Sequence, residues 1–269
     1  MLASHTSEDG SDAMYAEERQ EALVAEARRS GRVSVAAAAE IYQVTPETIR
    51  RDLAALVSRG LLRRVHGGAV PTESLRLVEL GVAERSGSRA AEKARIARAA
   101  LPHLPSGPGS TIILDAGTTT AGLATVLPAD PELTIITGSM PIAMAASQRC
   151  PGPVQLVGGR VRGLTQTTVG GQTVAELGAL RADVAFIGTN GLTTSHGAST
   201  PDAEEAAVKR AIVSAARRIV LLTDSTKFGV EYLRSFASLA DIDVLVTDGD
   251  ISPGDRQRCI SAGIEVVIA

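Results

Sequence analysis

The chain has no tryptophan, and three tyrosines and three phenylalanines bring its aromatics to only 2%. Proteins that hold unpaired bases stack them on aromatic rings, so single-stranded nucleic acid is a poor target for this sequence. The same shortage makes any core aliphatic, and with 44% of 269 residues apolar there is ample material for one. Cysteine is scarce too. Cys150 and Cys259 stand alone, with neither the spacing of a metal site nor the number for a disulfide framework. A reducing cytoplasm suits such a chain. No stretch approaches the length of a membrane span, and the first residues lack the charged-then-apolar pattern of an export signal. There is no Walker loop and no Gly-x-Gly-x-x-Gly, and no cofactor is expected.

Net charge is −3, yet between Glu47 and His66 five arginines (50, 51, 59, 63 and 64) face two acids, Glu47 and Asp52, a local balance of +3. That stretch has the pattern of a helix. Thr45 offers a capping hydroxyl and Pro46 fits the first helical position. Ile49, Leu53 and Leu56 recur at i, i+4 and i+7 as a buried stripe, leaving Thr48, Arg51, Ala54 and Ala55 on a small, polar outer face. A helix that lies in a major groove needs short side chains and an arginine or lysine for phosphates and guanine edges. Ser34 is placed to cap a preceding helix from Val35 to Tyr42. An earlier helix, burying Ala22, Leu23 and Ala27, stops at Ser30-Gly31. After the arginine-bearing helix, Gly60 reads as a left-handed cap, and Leu61 to Val65 with Gly67 and Gly68 as a strand and tight turn. Three helices and a wing make a reader of double-stranded DNA, with Thr45, Thr48, Arg50, Arg51, Arg63, Arg64 and His66 as candidate contacts. The plain alternative is a small helical domain whose arginines are solvated surface.

Thr48-Ile49-Arg50-Arg51-Asp52-Leu53, followed by Gly60-Leu61 and Val65-His66-Gly67-Gly68-Ala69, resembles the DNA-binding signature of the DeoR family of bacterial transcriptional regulators. Thr45-Pro46 stands where that family commonly has a serine at the helix start, and threonine caps as well.

The length suits two domains. Residues 1–13 are polar and acidic, with no apolar period, and are expected to be disordered, with Met14 a possible true start. The winged helix-turn-helix then spans 14–70. Residues 71–89 mix proline, serine, glycine and charge and read as a linker with one helical turn. From 90 to 269 a helix, Ala90 to Leu101, precedes seven β-rich runs: Thr111–Leu114, Leu133–Thr137, Val154–Val157, Val184–Ile187, Ile219–Leu222, Ile242–Val246 and Glu265–Ile268. Helical stretches such as Met140–Gln148, Ala203–Ala216 and Pro253–Ala262 lie between them. Strands apolar on both faces and separated by helices imply an α/β domain with a parallel sheet covered on both sides. Ligands in such sheets sit at the carboxyl ends of the strands.

The loops at those ends are rich in glycine and hydroxyls. Asp115-Ala116-Gly117-Thr118-Thr119-Thr120 opens a helix and offers free amides, hydroxyls and a positive dipole end, which suit a phosphate. An ordinary capped turn has the same composition. Ser139, Gly159 and Arg160 follow later strands, with Arg162 close by, and Lys227 follows another; each is a candidate for the same pocket. Asp202, Glu205 and Lys209 share a helix face, where the plainer reading is an exposed Glu205–Lys209 ion pair.

Asp115-Ala-Gly-Thr-Thr, Gly158-Gly159, Ala182 to Gly188, Glu205-Ala-Ala-Val-Lys209, Asp224 to Gly229 and Asp241 to Asp248 resemble the effector-sensing domain of the DeoR family. The resemblance covers about Tyr15 to Ala269. It implies a ribose-5-phosphate isomerase-like fold that senses a phosphorylated sugar, with Asp115, Gly117, Thr118, Thr119 and Lys227 holding it and Thr120, Ser139, Gly159, Arg160, Glu205 and Lys209 beside them. Gly138-Ser139 departs from the Asn-Ser often found in the family. A finer likeness, in Met14 to Arg19, Val161 to Gln166 and Gly188 to Thr193, is to actinobacterial regulators of fructose uptake and implies fructose 1-phosphate. The expectation is a homo-oligomeric repressor released from operator DNA by a phosphorylated sugar. The alternative is a sugar-phosphate isomerase with an accessory DNA reader. An isomerase needs a base and a second acid or base group over the sugar, and His5, His66, His103 and His196 fall at none of the matching loops.

Overall fold

The computed structural model describes residues 15–59, 61–65, 67–71 and 81–269, apart from the side chains of residues 28, 29, 83 and 84. The expected tail 1–13, the start at Met14, the Gly60 cap, His66 and residues 72–80 of the expected linker lie outside the described residues. The chain divides into two compact units, Met1–Glu73 and Ser74–Ala269.

In the first unit, helices Ala16–Ser30, Val35–Ile41 and Pro46–Ser58 pack around an aliphatic cluster that includes Leu23, Ala27, Ile49, Leu53 and Leu56. Thr45 and Ser34 cap as the sequence suggests, their hydroxyls accepting from Thr48 N at 3.2 Å and Ala37 N at 3.5 Å. Ala22 is only half-buried; Val24 takes the inward place beside Leu23 and Ala27. Strands Leu62–Val65 and Gly68–Pro71 form the wing hairpin, and Val33–Ser34 adds a third strand against Gly68–Pro71. No sequence period reveals a two-residue strand. Its closeness explains Gly68, where a Cβ would sit 1.8 Å from the Val33 carbonyl oxygen.

The second unit is built on a seven-stranded, all-parallel sheet in the order Glu265–Ile268, Val244–Thr247, Ala216–Leu222, Ala182–Gly188, Thr111–Leu114, Thr134–Thr137, Val154–Leu156. These are the seven runs the sequence marks. Alternation along each central strand feeds two cores. Ile112, Leu114, Val184, Phe186, Val220 and Leu222 face the helices Ala90–Ala99, Thr118–Val126 and Met140–Arg149. Ile113, Ala185, Ile187, Ile219 and Leu221 face Gly171–Gly178, Ala203–Ala215 and Pro253–Ser261. Both faces are buried, so the strands read as continuous apolar runs.

The sequence reading lacks the helix Gly171–Gly178, the hairpin Arg160–Arg162/Thr167–Val169 and an antiparallel sheet of Gly191–Thr193, Gly197–Thr200 and Arg234–Ala237. The helical turn expected in the linker is the helix Val82–Gly87, and it is not free chain. Val82 N donates to the Leu164 carbonyl at 3.2 Å, and the Ser88 carbonyl accepts from Lys93 Nζ at 2.7 Å, so these residues belong to the second unit.

At the base of the two strands that flank the sheet's midline, Asp183 Oδ2 accepts from both N and Oγ1 of Thr111, each at 2.9 Å. The Thr111 backbone and hydroxyl donors, with Arg217 a lesser influence, hold the Asp183 carboxyl below its ordinary pKa despite some desolvation. A depressed folded-state pKa means that this stabilisation is complete above the unfolded value, about 3.9, and lost as pH falls through the folded value. Since the carboxylate is only half-buried, Asp183→Asn is expected to cost roughly 1 kcal/mol at neutral pH. Urea titrations across the acid range should show the gap between wild type and variant closing below about pH 4; a gap that persists undiminished would remove the carboxylate's charge from the account.

Candidate functional site

Two surfaces carry the chemistry, one on each unit. On the first, the outer face of Pro46–Ser58 exposes Arg50, Arg51 and Ala54, with Thr48 half-buried, and the wing exposes Arg64 with Arg63 half-buried. Thr45 divides its role: its hydroxyl caps the helix and lies 2.9 Å from the Thr48 hydroxyl. Arg50 makes an exposed pair with Glu47 at 3.1 Å. Asp52 is different from the surface acid its position in a charged run implies. It is buried against the first helix, accepting from Arg19 Nε at 2.6 Å and Gln20 Nε2 at 3.1 Å. One of the two acids counted against the arginines is therefore hidden, and the exposed face is more positive than its composition.

On the second unit a cleft opens where the strand order reverses. Thr111–Leu114 is the first strand of the sheet yet lies inside it; the next two run off on one side, and Ala182–Gly188 begins the run on the other. Backbone loops diverge at such a point and leave room for a ligand. The cleft is lined by the loop and helix start Ala116 to Thr120, by Gly188 to Asn190, by Leu222 to Asp224 with Lys227, and by Glu205 and Lys209. Thr165 from the hairpin and Arg85, Ser88 and Lys93 complete it. Gly117, Thr118, Thr119, Thr120, Glu205, Lys209 and Lys227 thus come together as the sequence suggested.

Asp115, Ser139, Gly159, Arg160 and Arg162 do not line it. Asp115 lies beneath the floor at 3% exposure, where its carboxylate accepts from Gly188 N at 3.0 Å and pairs with Lys209, whose ammonium also donates to the Gly188 carbonyl at 2.9 Å. Burial raises the Asp115 pKa, against the opposing influence of Lys209 and the Gly188 N–H. Ser139 and Gly159 follow the two strands on the far side of the reversal. Ser139 is buried and bridges to Thr167, and Gly159 holds φ 147° where a Cβ would meet Thr173 Oγ1 at 2.0 Å, so its smallness serves packing. Arg160 is exposed and paired with Glu204. The plainer alternative, an exposed Glu205–Lys209 pair, does not form: both residues are buried, Lys209 engages Asp115, and Glu205 accepts from Arg162 at 3.1 Å and from Thr165.

The cleft lining combines two kinds of chemistry. Lys93, Lys227 and Arg85 line it together with the start of the helix at Thr118, which has no side-chain cap. Burial lowers the Lys93 pKa; Asp224 opposes this, while Lys227, Arg85 and Arg89 add to it. Thr223 also lines the cleft, is 2% exposed, and its hydroxyl has no hydrogen-bond partner among the described residues. Glu205, Thr165 and Asn190 add carboxylate, hydroxyl and amide to the same lining. Sequence reading missed Arg85, Ser88, Lys93, Thr165 and Thr223. Lys93 carries a signal, since a lysine inside the apolar face set by Ile96 and Ala97 asks for a buried partner; the others carry none. Among the described residues no group of ligands could hold a metal ion.

Residues 88–249 match the DeoR C terminal sensor domain, and residues 19–74 the DeoR-like helix-turn-helix domain. The chain belongs to the DeoR family. Among its relatives, the HTH-type transcriptional regulator GlpR of Haloferax volcanii is 34% identical over 94% of this chain and 98% of that protein. The glycerol-3-phosphate regulon repressor of Escherichia coli K12 is 30% identical over 86% and 90%. Ribose 5-phosphate isomerase A from Methanocaldococcus jannaschii aligns with 52% of this chain and 55% of its own, at 18% identity and TM-score 0.37, too slight a likeness to argue from. Among its described residues this DeoR-family regulator has no helix long and apolar enough to cross a membrane. DeoR membership settles the choice between regulator and enzyme in favour of the regulator.

Removing the ammonium by Lys209→Met leaves Asp115 buried without its counter-charge. The second unit is expected to lose about 3 kcal/mol of stability, read as a fall in its calorimetric transition while the first unit's is unmoved. An unchanged transition would show that Asp115 is accommodated without its partner.

Proposed function

We propose that the chain is a repressor of genes for sugar uptake or breakdown, binding operator DNA as a homo-oligomer through the Pro46–Ser58 helix and the wing, and released by a phosphorylated sugar held in the cleft. The observation that carries the reading is one cleft lined by Lys93, Lys227 and Arg85, by the hydroxyl-rich helix start at Thr118, and by Glu205, Thr165 and Asn190. The cations and the helix start suit a phosphate. The last three residues suit sugar hydroxyls. The relative named for the glycerol-3-phosphate regulon supports both a phosphorylated effector and repression. The likeness of Val161 to Gln166 and Gly188 to Thr193 to fructose regulators favours fructose 1-phosphate among the candidates. Asp115 acts from beneath by fixing Lys209. Arg51 and Thr48 read base edges, and Arg50, Arg63, Arg64 and His66 meet the backbone.

A thermal-shift panel tests the effector. Fructose 1-phosphate is expected to stabilise the protein, by roughly 2.7 kcal/mol at a hundred times its dissociation constant, with fructose inert. A panel of sugar phosphates that all fail to shift the transition would overturn the sensor assignment. The DNA face is tested separately. Arg51→Ala should weaken operator binding by about 1–3 kcal/mol and lower the salt slope by about 1, with effector binding unchanged. Lys227→Ala should bind DNA normally but need far more effector for release; normal release would place the phosphate elsewhere.

A further inference from the structure

The helix Val82–Gly87 is the first described element of the second unit, and the chain before it leads to the DNA reader. It is tied to the walls of the cleft at both ends. At its start Val82 N donates to the carbonyl of Leu164, in the turn of the hairpin whose Thr165 lines the cleft. At its end the Arg85 and Ser88 carbonyls both accept from Lys93 Nζ. Between these ties Arg85 lines the cleft, and its buried Nε has no hydrogen-bond partner among the described residues. An unmet buried donor is unfavourable, and an anion's oxygen satisfies it. The segment ends at Arg89, which holds φ 53°, a left-handed conformation uncommon outside glycine. Its guanidinium is held by Asp250 at 2.8 Å, Asp248 at 3.0 Å and Glu92 at 3.5 Å. A residue kept in a sparsely populated conformation by carboxylates from elsewhere in the fold has the character of a hinge.

We propose that Val82–Gly87 is a strap over the cleft: a phosphate is gripped by Arg85 on the strap as well as by Lys93 and Lys227, so occupancy tightens the strap against its Arg89 hinge and is passed to the chain leading to the DNA reader. The inference rests on the phosphorylated-effector reading above and supplies what that reading lacks, a contact made only in one arrangement. A ligand shifts an equilibrium only by its preference for one state, and the Arg85 contact exists only when the strap is closed. A dianion also relieves the crowding of Lys93 by Lys227, Arg85 and Arg89.

Hydrogen exchange on the full chain, with inorganic phosphate and separately with fructose 1-phosphate, tests this. Slowed exchange is expected both at residues 117–120 and at 82–89. Arg85→Gln should weaken either ligand on the order of tenfold and abolish the slowing at 82–89, while 117–120 is still protected at saturation; Arg85→Lys, which keeps a cation on the strap, should fall between. Protection at 117–120 with none at 82–89, or an Arg85→Gln protein of unchanged affinity, would sink the strap and leave the phosphate site standing. If neither ligand protects 117–120, the phosphate site falls and the strap with it.

Discussion

The cleft depends on one buried ion pair. Asp115 ends the first strand of the sheet, Lys209 projects from the helix Ala203–Ala215, and Gly188, which ends the neighbouring strand, donates its N–H to the carboxylate and offers its carbonyl to the ammonium. Three elements that are far apart in sequence are thus locked at the place where the strand order reverses. Two charges at 3% and 5% exposure are costly to desolvate, and such a pair specifies an arrangement more than it stabilises one. Its benefit here is placement. It holds the floor and keeps Lys209 in the cleft wall with the helix start at Thr118.

Around that floor the charges are sorted by their partners. Lys93, Lys227 and Arg85 line the cleft, whereas Arg162, Arg89 and Arg160, which do not, are engaged by acids: Arg162 by Glu205 and Asp202, Arg89 by Asp248 and Asp250, and Arg160 by Glu204. In the first unit Asp52 is likewise turned inward onto Arg19, while Arg50, Arg51 and Arg64 stay exposed. Counting charges along the chain cannot separate those buried in pairs from those that face solvent.

The N-terminal helices were legible because their periods and caps are local: Thr45, Pro46 and the Ile49-Leu53-Leu56 stripe need no knowledge of the rest of the chain. The seven strands were legible for a similar reason, since a strand buried on both faces is a continuous apolar run. The short strands at Val33–Ser34, Arg160–Arg162 and Gly191–Thr193 were not, because two or three residues hold no period. The strap Val82–Gly87 looked like linker because Arg85 faces the cleft and Ser86 is exposed.

The candidate site divides along the same line. Sequence alone determined the residue types and the strand ends that carry them, and it named the loop Asp115 to Thr120, Glu205, Lys209 and Lys227, because glycine, hydroxyl and lysine after an apolar run are visible without a fold. Only the tertiary structure decided which strand ends meet. The order of strands in a sheet is a matter of long-range packing, and it placed the reversal between Thr111–Leu114 and Ala182–Gly188, which brought the loops after the first, fourth and fifth strands together and carried Ser139, Gly159 and Arg160 away. It also decided that Asp115 is buried against Lys209 and Gly188, and that Arg85 and Lys93 belong to the cleft at all. Partners and burial of a charged side chain are set by residues distant in the chain, and no local pattern records them.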